Sequence, residues 1–308
     1  MSISLVTKFQ PYVDEKFSTE SKTSLVTNKD FDWTGAHTVK VYKVSTANMN
    51  DYDRAGAGIE ITSEVDGETV TQTVFPSRFG PIQGLNATTE EFTLNKDRAF
   101  TFAVDKLDND ETLQAVEAAS ALERQLREIV IPEIDAYVYN VLCTNAGTKP
   151  EAIVLTADNI MDNIMAANNE LDNAEVPETE RVLIVTPATY LLMKKSNDIV
   201  METEIGQDMR LKGVIANLDG ALVVKVPANR LPENFGFMLV HHCACVAPKK
   251  LEDYRIHTDP PGISGDLVEG RVCYDAFVLD NKVKAIYYQE KAATQQSSDN
   301  QNENGGSE

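Results

Sequence analysis

Apolar and polar positions follow three different regimes along this chain. From Met1 to Trp33 the apolar residues Leu5, Phe9, Tyr12, Val13, Phe17, Leu25 and Val26 are scattered among polar ones without a period. That pattern predicts an arm lying in a groove on its own or a neighbouring copy, not a packed element. From Val39 to Val104 the pattern turns to extended chain. Val39 to Val44 is a β-branched run. Ile59 and Ile61 alternate with polar residues, and Asp66-Gly67 supplies a hairpin turn before Thr69 to Val74. Phe92 and Leu94 share a face, and Phe100, Phe102 and Val104 alternate with Thr101 and Ala103. This last hairpin is predicted to pack on the body, whereas the threonine-rich one at Asp66-Gly67 is predicted to project. Strand edges left unfinished in this way invite pairing with another copy.

The third regime begins near Asp110 with helical spacing. Asp108 and Glu111 form a capping box. Leu113, Val116, Leu122, Leu126, Ile129, Val130, Ile134, Val138, Val141 and Leu142 then line one side of a helix that Gly147 and Pro150 end. Pro132 removes one donor and predicts a bend; if it bends without breaking, the helix runs roughly 50 Å. An alternating α/β segment follows. Thr156 caps a helix carrying Ile160, Ile164 and Leu171, Arg181 to Val185 is a strand, and Thr186-Pro187 opens another helix. Strands are predicted at Ala221 to Val226, Gly236 to Val246, Leu267 to Leu279 and Lys282 to Tyr288, with Leu251 to Asp266 extended. From Ala292 the polar sequence AATQQSSDNQNENGGSE cannot bury a core.

The composition of the 308 residues, 42% hydrophobic and 25% charged, is that of a folded soluble chain. No apolar run reaches the ~20 residues that span a bilayer. The start MSISLVTKFQ has no secretory pattern, its apolar stretch being broken by Lys8 and Pro11. The charge does change the picture. There are 48 acidic against 28 basic residues, a formal net charge of -20, which excludes a basic nucleic-acid footprint. It suits a container whose surface phosphate avoids, and salt screens repulsion between copies beyond ~8 Å.

Catalytic chemistry finds little support. Cys143, Cys243, Cys245 and Cys273 do not form a disulfide framework and read as small hydrophobes in a reducing compartment. In a strand, His241, Cys243 and Cys245 share a face while His242 points away; three ligands on one strand cannot readily close a tetrahedron, so no metal is expected. With only four histidines (His37, His241, His242, His257), no Gly-x-Ser-x-Gly elbow and no phosphate-cradling lysine loop, neither a triad nor a nucleotide site is expected. Gly262-Ile263-Ser264-Gly265 lacks the lysine. Carboxylate pairs such as Asp51/Asp53 and Glu90/Glu91 read as solvated surface. The expectation is no catalytic, cofactor-binding or metal residue and no cofactor.

Three stretches taken in order resemble a known family. The first runs Lys8-Phe9-Gln10-Pro11-Tyr12-Val13-Asp14-Glu15-Lys16-Phe17, then Asp30-Phe31-Asp32-Trp33-Thr34-Gly35 and Val39-Lys40-Val41-Tyr42. The second is Leu94-Asn95-Lys96-Asp97-Arg98-Ala99-Phe100-Thr101-Phe102 followed by Val130-Ile131-Pro132-Glu133-Ile134-Asp135. The third is Pro260-Pro261-Gly262-Ile263-Ser264-Gly265-Asp266-Leu267-Val268-Glu269-Gly270-Arg271 with Tyr274-Asp275-Ala276-Phe277-Val278-Leu279. Together they resemble major capsid proteins of tailed bacteriophages with the Hong Kong 97-type shell fold.

The resemblance implies an α+β fold: an N-terminal arm (1–35), an extended β-hairpin loop (36–91), a peripheral domain with a long spine helix (92–148 and 251–291), an axial α/β domain (149–250) and a disordered tail (292–308). It implies self-assembly into the hexamers and pentamers of an icosahedral head enclosing double-stranded DNA, in the virion after assembly in the bacterial host cytoplasm, without a membrane. A portal at one vertex is implied, as is a separate scaffolding protein, because the arm motif begins at Lys8. Phe9, Tyr12, Phe17, Arg54 and Arg78 are the expected contacts between copies. Some relatives weld this loop to a neighbour by a lysine–asparagine bond; no lysine lies between Lys43 and Lys96, so no such crosslink is expected. A nanocompartment shell of the same fold, and a metal-dependent enzyme built on His241–Cys245, are the alternatives.

Overall fold

The computed structural model describes residues 20–28, 38–52, 54, 59–65, 68–74, 78–79, 85, 87–107, 117–196 and 215–292. Phe9, Tyr12, Phe17 and the Asp108 cap lie outside them. By internal packing the chain divides into Gly35–Thr93 and the remainder.

In the remainder, a short strand β1 (Thr27–Asn28) comes first. The Gly35–Thr93 unit contains β2 (Thr38–Val44), β3 (Ile59–Val65), β4 (Glu68–Val74) and β5 (Ala87–Thr93). They make two separate antiparallel ribbons, β2 with β5 and β3 with β4. Two-stranded ribbons are marginal alone in water. Across the first ribbon Lys40 pairs with Glu91 and Lys43 with Glu90, and the Thr38 and Thr93 hydroxyls meet at 3.0 Å.

The next strand, β6 (Lys96–Asp105), belongs to the larger unit. A continuous helical stretch follows: α1 (Ala118–Gln125), a π turn (Leu126–Val130) and α2 (Ile131–Thr144). Its described part, Ala118 to Thr144, is about 40 Å long at 1.5 Å per residue. The π turn answers the expected bend. The Ile131 N–H reaches the Leu126 carbonyl, five residues back, just before Pro132, which has no N–H to donate. The hydrogen-bond register is reset where the donor is missing, and the helix continues. Thr144 is its last residue; the Asn145 side chain and N–H both donate to Val141 O. Gly147 is fixed by packing instead: a Cβ there would stand 2.5 Å from the Val283 carbonyl.

After it come α3 (Ile160–Asn173), β7 (Arg181–Val185) and α4 (Pro187–Lys195). Thr156 and Asn159 cap α3 reciprocally, the Asn159 carboxamide accepting from Thr156 N–H at 2.8 Å and Thr156 Oγ1 from Asn159 N–H at 3.3 Å. Thr186 caps α4 by accepting from Thr189 N–H at 3.1 Å, with Pro187 in the first turn. Then follow β8 (Ile215–Leu218), β9 (Ala221–Lys225), β10 (Phe235–His241), β11 (Cys245–Val246), β12 (Lys249–Thr258), β13 (Gly265–Tyr274), β14 (Phe277–Val278) and β15 (Ile286–Glu290).

A five-stranded sheet, ordered β15-β10-β7-β9-β8, carries the main core. Every residue of β7 and β10 is buried, so this sheet is covered on both faces. The two-residue period sorts its side chains. Val182, Ile184, Val224, Met238, Val240, Ile286 and Tyr288 meet Ile134, Val138, Tyr139 and Leu142 of α2. Leu183, Val185, Ala221, Val223, Phe237, Leu239 and Tyr287 meet α3 and α4 through Ile160, Ile164, Leu171, Tyr190 and Met193. Each fully buried large side chain contributes about 1.5–3 kcal/mol. The result is helix, sheet, helices: a three-layer stack.

A second sheet, ordered β12-β13-β6, is antiparallel, with Phe100, Phe102, Val104 and Val268 packed near Ala118 and Leu122 of α1. Phe100 lies opposite Gly270, its ring occupying the space where a Cβ would be. Asp275, at the end of β13, accepts from Tyr137 Oη at 2.7 Å and from the Asn95 N–H at 2.8 Å. This buried carboxylate ties the hairpin turn and α2 to the third of the family-like stretches.

Two sequence expectations are corrected. The predicted strand Gly236 to Val246 is broken by a 3-10 turn at His242–Ala244. The predicted strand Lys282 to Tyr288 is instead a 3-10 helix, Asp280–Ala285, followed by β15. β15 pairs with β10 in the five-stranded sheet. Backbone partners are long-range facts that local periodicity does not carry.

Candidate functional site

The Gly35–Thr93 unit concentrates exposed apolar side chains. On β2, Tyr42 and Val44 are 73% and 60% exposed, and beyond it Met49, Phe79 and Leu85 are 99%, 75% and 61% exposed. Tyr52 and Phe79 stack edge to face at 5.1 Å, and Asn50 Nδ2 donates to Phe79 O at 3.4 Å. These side chains leave apolar surface in this unit open to solvent. Arg54 and Arg78 are exposed in the same unit, and neither pairs with a carboxylate among the described residues. These exposed aromatic residues were not singled out from the sequence; alternation gave the strand, not which face is left bare.

A buried ion pair anchors the leading segment to the body. Asp135 on α2 and Arg230, both almost wholly buried, meet at 2.8 Å through Oδ2 and Nη1. The other carboxylate oxygen accepts from Ser21 Oγ at 2.6 Å and from Thr23 Oγ1 at 3.3 Å. Val26, 1% exposed, enters the core beside them, and β1 pairs in parallel with β11. Short polar residues that looked like leader thus close the shell of a buried charge.

At the end of β10, the 3-10 turn undoes the same-face arrangement expected for His241, Cys243 and Cys245. His241 Nδ1 accepts from the Cys243 N–H at 3.2 Å. Burial first, then the neighbouring His242, hold the His241 imidazole below its usual range against the pull of Glu180. Cys245 is buried in the core, its thiol pushed up to about 12 by burial. Cys243 Sγ lies 3.5 Å from Lys282 Nζ. The histidines find a different neighbour: Glu180, with φ of 60°, precedes β7, and its Oε2 lies 3.1 Å from His242 Nδ1.

The outward face of the β12-β13-β6 sheet is charged but internally matched. Arg271 reaches Asp97 at 2.5 Å, Arg255 reaches Asp253 at 2.8 Å, and His257 Nε2 lies 3.3 Å from Glu269. Exposed pairs of this kind add little stability, and they leave a polar, self-neutralised surface. No helix among the described residues is long and apolar enough to cross a membrane.

This architecture is a mixed helix-and-sheet fold that matches bacteriophage capsid shells. A solved structure of Mycobacterium phage Che8 superposes with a TM-score of 0.69 at 18% identity, over 92% of this chain and 96% of that one. The capsid structure of cyanophage P-SCSP1u gives 0.66 at 12% identity over 94% and 93%. The mature capsid of bacteriophage PhiM1 gives 0.63 at 12% identity over the same shares. No family model matches the sequence, and no curated protein matches it significantly.

Proposed function

We propose that this chain is a major capsid protein, which self-assembles into the hexamers and pentamers of an icosahedral phage head around double-stranded DNA. The observation that carries the reading is the end-to-end match to phage capsid structures, 92–94% of the chain against 93–96% of theirs. Exposed aromatic side chains in a unit whose strands form only two-stranded ribbons support it, because such surface is completed by neighbours.

In this reading residues 1–35 are the arm and 36–91 the extended loop. The Ala118–Thr144 helix is the spine of the peripheral part, and the five-stranded sheet is the core of the axial part. Phe9, Tyr12, Phe17, Arg54 and Arg78 join Tyr42, Tyr52 and Phe79 as contacts between copies. The chain works as structure, not as an enzyme. It meets packaged DNA without reading sequence, since a formal charge of -20 offers phosphate no basic footprint. A scaffolding protein and a portal complete the head, which is built in the host cytoplasm and ends in the virion.

The test is sedimentation and negative-stain microscopy of the full chain, expressed with and without its genomic neighbours. Closed shells are expected. The double change Tyr52→Asp and Phe79→Asp is expected to abolish shells while circular dichroism stays that of the parent. A monomer under every condition, with its ribbons folded on its own body, overturns the reading.

A further inference from the structure

His242 Nδ1 is closed off from solvent, has no hydrogen-bond partner among the described residues, and lies 3.1 Å from the Glu180 carboxylate. A buried ring nitrogen and a carboxylate this close, with no hydrogen bond joining them, are two donors that a metal ion can share. His241 stands alongside, 5% exposed, its ring centroid 5.3 Å from that of His242. One ligating atom from each of Glu180, His241 and His242 falls within 4.8 Å of the other two. Zinc–nitrogen and zinc–oxygen bonds of about 2.0–2.1 Å give a tetrahedron with edges of about 3.3 Å. The Glu180–His242 edge is therefore already formed, and the third corner needs only a small side-chain movement.

We propose that Glu180, His241 and His242 bind one divalent transition-metal ion of the zinc class, with water completing the coordination. The donor set of two imidazoles and a carboxylate fits zinc, nickel, cobalt or copper, and not calcium or magnesium, which take oxygen ligands. Glu180 directly precedes β7 and His241 ends β10, whose residues Arg181 and His241 are paired. The ion would rivet the ends of two central strands. Ligation through His241 Nε2 puts the ring proton on Nδ1, so the Cys243 N–H loses its acceptor there, and loading becomes readable at that amide. Arg181 and Lys282 bring positive charge toward His241, which limits the affinity. Cys243 takes no part. The site stands independently of the capsid reading.

The experiment is equilibrium dialysis of untagged full-length protein against zinc at pH 8, above the ordinary imidazole range, followed by cobalt substitution. One zinc per chain with micromolar affinity is expected, with tetrahedral cobalt bands and no thiolate-to-cobalt charge transfer. His242→Ala and Glu180→Gln, both at partly exposed positions, each weaken binding about tenfold or more, and Cys243→Ala leaves it unchanged. Folded protein that retains no zinc at pH 8 overturns the proposal. Binding that survives His242→Ala overturns it as well.

Discussion

Replacing Asp135 by Ala tests the buried anchor directly. Asp135 is 2% and Arg230 4% exposed, so the change removes the buried carboxylate that Arg230 Nη1 meets at 2.8 Å. Removing one member of a buried pair costs about 3–5 kcal/mol, a large share of a typical stability of about 5–15 kcal/mol. At about 2–4 °C per kcal/mol for a domain of this size, the melting temperature falls by roughly 6–20 °C. The same carboxylate holds Ser21 and Thr23, so the loss is also local. Amides of Leu25 and Val26, which donate to Lys22 O and Thr23 O, exchange faster with deuterium than amides of β7. Removing both charges by Asp135→Leu with Arg230→Met recovers much of the melting temperature, because no unpaired charge remains, but it does not restore protection at Leu25 and Val26. Thermal melts read the first effect and hydrogen-exchange mass spectrometry of unassembled protein the second. Unchanged exchange at Leu25 and Val26 in Asp135→Ala would refute the anchor.

Three more outcomes follow from the geometry. Gly147→Ala, which sets a methyl group 2.5 Å from Val283 O, destabilises by about 1–3 kcal/mol in thermal melts; an unchanged melt contradicts the close approach. Burial pushes the Cys143 and Cys245 thiols up to about 12, so an aromatic disulfide reagent at pH 8 titrates the part-exposed Cys243 and Cys273 first and reaches the other two only on unfolding. Assembled particles run as single chains on denaturing gels, since no lysine lies between Lys43 and Lys96, and a covalent ladder would count against that.

What the sequence carried was what local pattern can encode. The β-branched run of β7, the Thr186-Pro187 start of α4 and the helical spacing through Leu142 all follow from side chains within one or two turns of each other. The broken strand at His242–Ala244 was illegible because apolar residues flank His241 and His242 on both sides, with no glycine or proline to mark a turn. Asp280–Ala285 misled for the same reason, Val283 and Ala285 alternating with lysines on a 3-10 helix. The anchor and the histidine cluster were illegible for a different reason. Asp135 meets Arg230 across 95 residues, and Glu180 reaches His242 only because β7 and β10 are neighbours. Burial of a lone aspartate leaves no trace in composition.

The anchor also has a mechanical consequence. Any pull on the chain ahead of Glu20 must pass through Ser21 and Thr23, and these grip the same carboxylate that neutralises Arg230. Force on the leader is therefore delivered to the Ala118–Thr144 rod, not dissipated at a frayed end. Tugging there loads the interior charge pair, so this strap gives way as a unit or holds.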